Sequence, residues 1–260
     1  MPRRQPPGHV PLAVARASRE ESDLTYQFQF GAVFARVDLL IDGFLLTLQL
    51  TAITSCLGFL IGLACAITRT YGPAPARLAV AAYVEVFRNT PFLVQLFLIF
   101  FGIPEVGKLL GVKWLPTPYW AAIIALSINI AAYMTEVIRA GLESIHRSQV
   151  EAAESLGLSK LQVILHVVLP PALRNVYPAL SSEFILLMLG TSVVSVISVE
   201  ELTGAGNLIQ SETYRTFETY ALIWVIYFAL AVALKLLLDL LAGWIIGRRV
   251  SRIGASAGHA

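Results

Sequence analysis

Three polar side chains are spaced along a stretch of the chain that is otherwise apolar. Asn129, Tyr133 and Glu136 are four and three residues apart, which places them on one face of a helix. Within a membrane such groups face protein or water, because contact with lipid is costly. They are therefore candidates for binding a polar solute on its way through a membrane. Hydrogen bonding between the helices of a bundle or dimer is the alternative, and the sequence leaves both open.

A second polar group surrounds Pro91. Glu85 and Arg88 are three residues apart, and we expect them to pair or to face a polar cavity. Pro91 should bend or interrupt its helix, which frees backbone groups for neighbouring polar side chains. Arg88, Asn89 and Thr90 are therefore further candidates for a solute path. A structural ion pair near the cytoplasmic surface explains Glu85 and Arg88 equally well.

Hydroxyl groups form a third set. Thr191, Ser192 and Ser195 lie in the segment M-L-G-T-S-V-V-S, where they could offer hydrogen bonds to a polar solute. Packing of helices through small residues is an equally good interpretation. The same packing is favoured for the first apolar stretch, where Gly58 and Gly62 form a G-x-x-x-G motif.

The sequence predicts neither an enzyme site nor a metal site. It has no G-x-x-x-x-G-K-[ST] loop and no G-x-S-x-G elbow. The histidines His9, His146, His166 and His259 are scattered without the spacing of metal ligands. We therefore assign the chain no catalytic residue and no cofactor of its own.

A polar insert runs from Ser148 to Pro178. Ser148 with Glu151, and Ser159 with Gln162, have the spacing of capping boxes, and Gly157 is where the first of two short helices should end. The second helix should run toward Pro170 and Pro171 and stop there. Small side chains on the first helix allow another surface to approach closely, which suggests a docking element; a helical hairpin folded back on its own bundle is the alternative. These small residues are Ala152, Ala153 and Ser155.

The composition is that of a membrane protein. Of the 260 residues 57% are hydrophobic and 14% are charged, and the mean hydropathy is +0.71. About 20 apolar residues span the hydrocarbon core as a helix. We predict an all-α membrane protein with a tail at 1–38, a transmembrane domain at 39–247 with a polar loop at about 141–177, and a tail at 248–260. Five stretches are long enough to span: Leu39 to Thr68, Leu78 to Gly102, Tyr119 to Arg139, Ala179 to Val199 and Tyr220 to Ile246.

Basic residues near the ends of these stretches predict the orientation. They flank the first loop, the polar insert and the chain end. In a five-span topology these three regions lie on the same side of the membrane. This side should therefore be cytoplasmic, which places the N-terminus outside. The loop before the last span should then be external, where its charged residues could meet a partner. The basic residues are Arg69, Arg77, Arg139, Arg147, Lys160, Arg174, Arg248, Arg249 and Arg252; the charged loop residues are Glu200, Glu201, Glu212, Arg215 and Glu218.

The insert resembles a known signature. E-A-A at 151–153, Gly157 after three intervening residues and L-P about a dozen residues beyond closely resemble the EAA motif in the membrane subunits of bacterial ATP-binding-cassette (ABC) importers. Two further stretches resemble the polar amino-acid branch of these permeases. V-E-V-F-R-N-T-P-F is similar to E-x-F-R-G-T-P, with Asn89 in place of glycine, and A-Y-M-T-E-V-I-R-A-G is similar to A-Y-x-S-E-x-x-R-G-G, with Ala140 in place of glycine. The family's K-D-T-S-L is only partly present, because Leu189 and Gly190 replace its charged pair.

The resemblance covers roughly residues 40 to 247 and implies a function. The chain is expected to be a permease of a type I ABC importer for polar amino acids in the bacterial inner membrane. Its expected partners are membrane lipids, a second permease copy or sister chain, an extracytoplasmic solute-binding protein, and ABC ATPase subunits that hold ATP and magnesium. No nucleic acid is expected. The insert would be the coupling helix that enters the ATPase, through Glu151, Ala152, Ala153, Ser155, Leu156 and Gly157.

Two other functions stay open at this point. An ion-coupled secondary carrier would need no ATPase, but it favours internal repeats, which we do not find. A membrane scaffold or sensor would use the insert to dock a signalling protein and would move no solute. Neither the amino acid nor the choice between homodimer and heterodimer can be read from the sequence.

Overall fold

The computed structural model describes residues 26–111 and 117–246, with side chains to residue 243. The regular structure in these ranges is entirely helical. Most of both predicted tails lies outside the described residues. The helices are α1 (Phe30–Phe34), α2 (Val37–Tyr71), α3 (Ala74–Arg88), α4 (Phe92–Leu109), α5 (Pro118–Glu143), α6 (Arg147–Ser155), α7 (Lys160–Ile197), α8 (Leu202–Thr213) and α9 (Thr216–Ile246).

Five of the described helices are long and apolar enough to cross a membrane, which confirms the predicted number of spans. They are α2, α4, α5, α7 and the Thr216–Gly243 part of α9. α7 is the longest and the least regular of them. After one α-helical turn at Lys160–Gln162 it has a π-helical segment, Val163–Val168, and it ends in a 3₁₀ segment, Thr191–Ile197.

The second predicted span is divided. The stretch Leu78 to Gly102 contains two helices, α3 and α4, which meet at a break over Asn89, Thr90 and Pro91. Pro91 has no N–H and an extended backbone with ψ of 135°. The prediction that Pro91 interrupts the helix is confirmed, but the membrane-grade helix starts after the break and runs on to Leu109.

The predicted end of the insert's second helix was wrong. Pro170 and Pro171 do not stop it, because the wider π-helical turn at Val163–Val168 precedes them. This turn places the prolines in the first turn of the next α-helical segment, where a missing N–H costs little. The second insert helix and the fourth span are therefore one continuous helix, α7.

The core is built on a close approach of α2 and α5. A methyl group at Gly58 would come within 2.2 Å of Ile130 Cγ2, and one at Gly62 within 2.8 Å of Met134 Cβ. Both glycines therefore serve helix packing, as the G-x-x-x-G motif predicts. At the far end from α6, a smaller cluster joins α1, α8 and α9 through residues such as Val33, Leu202 and Ile209.

Candidate coupling helix and polar path

The first insert helix, α6, begins two residues earlier than predicted. His146, with an extended backbone, takes the N-cap position, and its carbonyl accepts a hydrogen bond from the Gln149 N–H at 3.0 Å. Ser148 therefore lies inside the first turn, and no side chain caps this helix. The predicted capping box of Ser148 and Glu151 was wrong.

The end of α6 and the start of α7 follow the prediction. Gly157 has φ of +79°, a left-handed conformation that side chains disfavour, and its N–H bonds the Glu154 carbonyl at 2.9 Å. Ser159 and Gln162 form the second capping box, with the Ser159 N–H donating to Gln162 Oε1 at 2.9 Å. The chain therefore turns at a fixed angle between the two helices.

The predicted docking residues do not all face the same way. Ala153 is buried against the protein's own bundle, in one cluster with Val163 and Val168 of α7. Leu156 is 83% exposed, an unusual position for a leucine beside a helix end. Ala153 therefore packs α6 onto the bundle, and the other predicted docking residues face outward. The exposed members are Glu151, Ala152, Ser155, Leu156 and Gly157.

The break between α3 and α4 is organised by Gln95, a residue that sequence reasoning missed. Its side chain is almost fully buried, and its Nε2 donates to the carbonyls of Phe87 (2.8 Å) and Thr90 (3.1 Å). These carbonyls are among the backbone groups that the break frees. Gln95 Oε1 accepts a hydrogen bond from Asn129 Nδ2 at 2.8 Å. The signal in the sequence was a lone amide four residues after a proline in an apolar helix.

Arg88 does not pair with Glu85. Its guanidinium carbon lies 5.5 Å from the centre of the Tyr133 ring, in cation–π contact. The carboxylate of Glu85 instead accepts a hydrogen bond from Asn89 Nδ2 at 2.8 Å. The structure therefore brings Asn129 and Tyr133 of α5 against the α3–α4 break, as a shared polar face requires.

Glu136 is held in a network of charges near the α6 side of the bundle. Its Oε1 lies 2.5 Å from Arg69 Nη1 of α2, and its Oε2 lies 2.8 Å from Arg139 Nη2. Arg139 also bridges Glu143 at 2.7 Å. Glu136 therefore has a structural partner on a neighbouring helix, which the sequence did not identify.

The three hydroxyls of α7 are turned onto their own helix. Thr191, Ser192 and Ser195 each donate to the carbonyl three residues earlier, at 2.6–2.8 Å, as the 3₁₀ geometry allows. Thr191 is fully buried, whereas the other two are partly accessible. Their hydroxyl oxygens are still able to accept a hydrogen bond.

Glu183 is a further polar residue in the middle of α7. It is half-buried, and among the described residues no hydrogen bond or ion pair engages its carboxylate. The sequence showed Glu183 only as one of several residues that make this span polar.

The charged loop before α9 is more structural than predicted. Glu201 is fully buried and caps α8: its carboxylate accepts from the N–H groups of Thr203 (3.1 Å) and Gly204 (3.0 Å) and from Tyr227 (2.6 Å). Burial raises the pKa of Glu201, and these hydrogen bonds offset only part of that effect. Glu218 is also fully buried. Neither carboxylate is free to meet an external partner.

Comparison with known protein families and sequences gives consistent results. The family described as binding-protein-dependent transport system inner membrane component matches residues 58–251. The glutamine transport system permease protein GlnP of Escherichia coli (strain K12) is 34% identical over 82% of this chain and 95% of its own length. The octopine transport system permease protein OccM of Rhizobium radiobacter is 35% identical over 78% of this chain and 84% of its own length.

Solved structures are similar as well. A chain in the crystal structure of an amino acid ABC transporter with histidines is 37% identical, with a TM-score of 0.73, and the match covers 83% of this chain and 98% of that one. A chain of the MetNI methionine ABC transporter in an inward-facing conformation has a TM-score of 0.64 at 24% identity, over 79% of this chain and 95% of that one. The second likeness shows the fold alone.

Proposed function

The chain belongs to the family of binding-protein-dependent transport system inner membrane components, and on that premise we propose that it carries polar amino acids through the membrane in an ATP-driven importer. The observation that carries the proposal is α6, an exposed EAA helix braced on the bundle by Ala153. Relatives named for glutamine, octopine and arginine transport support the substrate class.

Coupling follows from the continuity of α7. A partner ATPase would grip the exposed side of α6, at Glu151 and Leu156. Because Gly157 and the Ser159–Gln162 box fix the angle between α6 and α7, a displacement of α6 moves α7 with it. α7 spans 38 residues without a stop and carries Glu183 and Thr191. The ATPase must contact α6 differently in its two states, because an equal contact shifts no equilibrium.

The solute path is assigned to the polar face around Arg88. An amino-acid zwitterion has a carboxylate and an ammonium group. Arg88 would offer a cation to the first, and the half-buried Glu183 of α7 would offer an anion to the second. This pair supplies the charges that Leu189 and Gly190 lack. Polar side chains of the same face, among them Asn89, Thr90, Asn129 and Tyr133, would line the route, with Ser192 and Ser195 toward the end of α7.

The assembly is part of the proposal. Two permease chains, identical or sisters, would enclose the path, two ATPase subunits would bind ATP and magnesium below α6, and a solute-binding protein would deliver the amino acid on the opposite side. The α6 side would be cytoplasmic, with the N-terminus outside. An inner-membrane, multi-pass location follows from the family and from the five apolar helices.

The assigned path can be tested by uptake of labelled amino acids into proteoliposomes that hold the permease, its ATPase and its binding protein. Glu183→Gln and Arg88→Gln should each reduce uptake at least about tenfold, because each leaves one charge of the zwitterion unpaired in a low-dielectric site. Glu105→Gln, at an exposed position of α4, is the matched control and should transport normally. Normal uptake by both path variants would overturn this assignment.

A further inference from the structure

A long apolar groove runs between α2, α7 and α9. Its first part, on the α6 side, has a volume of about 520 Å³ and lies between Phe59, Leu173, Leu180 and Leu241. A second part of about 470 Å³ continues toward the opposite side along α2 from Phe59 to Leu48. The two parts share Phe59, Phe184 and Leu238. They therefore form one continuous surface along membrane-spanning helices.

The groove lies away from the polar face. α2 packs on α5 through Gly58 and Gly62, whereas the groove extends over a neighbouring face of α2, at positions such as Ala52 and Cys56. The residues that line both parts belong to α2, α7 and α9, and none belongs to α5. The groove walls therefore face the surroundings of the helix bundle.

A positively charged side chain lies at one end of this apolar surface. Arg174 lines the first part of the groove and is exposed, and the ion pairs among the described residues do not include it. The next residue, Asn175, donates a hydrogen bond to Ser144 Oγ at 3.0 Å, just past the end of α5. Arg174 therefore lies at the level where a membrane-spanning helix ends, which is the level of lipid headgroups.

The length of the first part of the groove matches the thickness of one lipid leaflet. From Arg174 to Phe184 the helix rises about 15 Å, at about 1.5 Å per residue. The hydrocarbon core is about 30 Å thick, so this distance is about half of it. A tyrosine, Tyr177, stands at the same rim and donates a hydrogen bond to Asp239 Oδ1 at 3.0 Å. Tyrosine is typical of the membrane–water interface.

We propose that this groove binds an anionic phospholipid of the α6-side leaflet, with an acyl chain between α2, α7 and α9 and its phosphate on Arg174. The apolar walls select the chain, and Arg174 selects the headgroup. The negative charge of Asp239 at the same rim repels an anionic headgroup and therefore reduces the preference for anionic lipid. The lipid would hold α9 against α2 and α7 where protein does not fill the space between them.

The proposal is tested by native mass spectrometry of the full-length permease released from nanodiscs that contain phosphatidylcholine and phosphatidylglycerol. Wild-type protein should retain phosphatidylglycerol in preference to phosphatidylcholine. Arg174→Gln should reduce that preference about fivefold, the factor expected for one basic residue near an anionic surface. Arg77→Gln, an exposed arginine at the start of α3, is the matched control and should retain the preference. Asp239→Asn should increase it.

Leu238→Trp fills the point where the two parts of the groove meet and should reduce retention of both lipids. Inorganic phosphate at millimolar concentration should not displace the bound lipid, because it cannot occupy the apolar part. Unchanged lipid retention in both Arg174→Gln and Leu238→Trp would overturn the proposal. Efficient chain-to-chain crosslinking through Cys56, which lines the groove, would also overturn it, since a second copy would then cover the site.

Discussion

Glu136 of α5 lies 2.5 Å from Arg69 of α2, so that an ion pair joins the two most closely packed helices of the bundle at their α6 end. Arg139 binds the other oxygen of the same carboxylate at 2.8 Å. The side chain of Glu136 is only 18% exposed. The residue that the sequence singled out as a path candidate thus also locks α2 to α5 next to the coupling helix.

Replacement of Glu136 by glutamine should destabilise the protein. The change leaves Arg69 and Arg139 close together without their shared anion, and loss of a hydrogen-bonded charge typically costs about 1.5–3 kcal/mol. The measurement is the midpoint of thermal unfolding in detergent. Glu143→Gln, which removes a more exposed partner of Arg139, should change it far less. Equal midpoints for Glu136→Gln and wild type would contradict the structural role.

Replacement of Gly157 by leucine should uncouple the ATPase while membrane insertion is normal. A β-carbon at φ of +79° is strained, at a cost of about 1–2 kcal/mol, so the angle between α6 and α7 must change. Space around Gly157 is open, so backbone conformation and not a steric clash causes the effect.

Gly157→Asn is the matched control for this change, because asparagine tolerates the left-handed region. ATPase co-purification and ATP-driven uptake should survive in Gly157→Asn and fail in Gly157→Leu. Unchanged uptake by the leucine variant would remove the coupling role of this turn.

Replacement of Gly58 by alanine should loosen the contact of α2 with α5. The added methyl group would lie 2.2 Å from Ile130 Cγ2, and overpacking of this kind typically costs about 1–3 kcal/mol. Combining it with Ile130→Ala removes the clashing atom, so the double variant should lose less stability than the sum of the single variants. Gly102→Ala, where nothing lies within 4 Å, is the control. Strict additivity would show that the helices do not meet here.

The pH dependence of stability should reveal the burial of Glu201. Burial raises the pKa of this carboxyl in the folded protein above the ordinary value of about 4.3. Its contribution is therefore fully present below about pH 4.3 and is lost as the pH rises through the raised folded pKa. Glu201→Gln does not titrate, so the stability of wild type relative to this variant should fall as the pH rises through that window.

The unfolding midpoint of both proteins, measured at a series of pH values, tests this. Glu200→Gln changes the exposed neighbouring acid and provides the comparison for a surface site. A relative stability of wild type that rises with pH would reverse the sign and would mean that the four hydrogen-bond donors around Glu201, from Thr47, Thr203, Gly204 and Tyr227, outweigh its burial.

The features that were predicted correctly from the sequence depend on residues that are close to one another along the chain. The number of spans follows from the length of apolar runs, and the turn at Gly157 and the Ser159–Gln162 box depend on residues close in sequence. The same local logic failed at Pro170, because the π-helical turn before it supplies a geometry that no single residue specifies.

The rest depends on contacts between distant residues. Gln95 and Asn129 are 34 residues apart, and Arg69 and Glu136 are 67 apart, so their pairing follows only from how the helices pack. Ala153 shows the same limit, because its place on the buried side of α6 is set by Val163 and Val168 of the following helix. A pattern of small residues indicates a close approach but does not say which surface approaches.

The most direct test of the whole account is ATP-dependent uptake of a labelled amino-acid mixture into proteoliposomes that contain this permease, its ATPase and its solute-binding protein. We expect uptake of polar amino acids that stops when ATP is omitted. A stable complex that binds its ATPase but moves no amino acid, with or without ATP, would contradict the assignment of an importer.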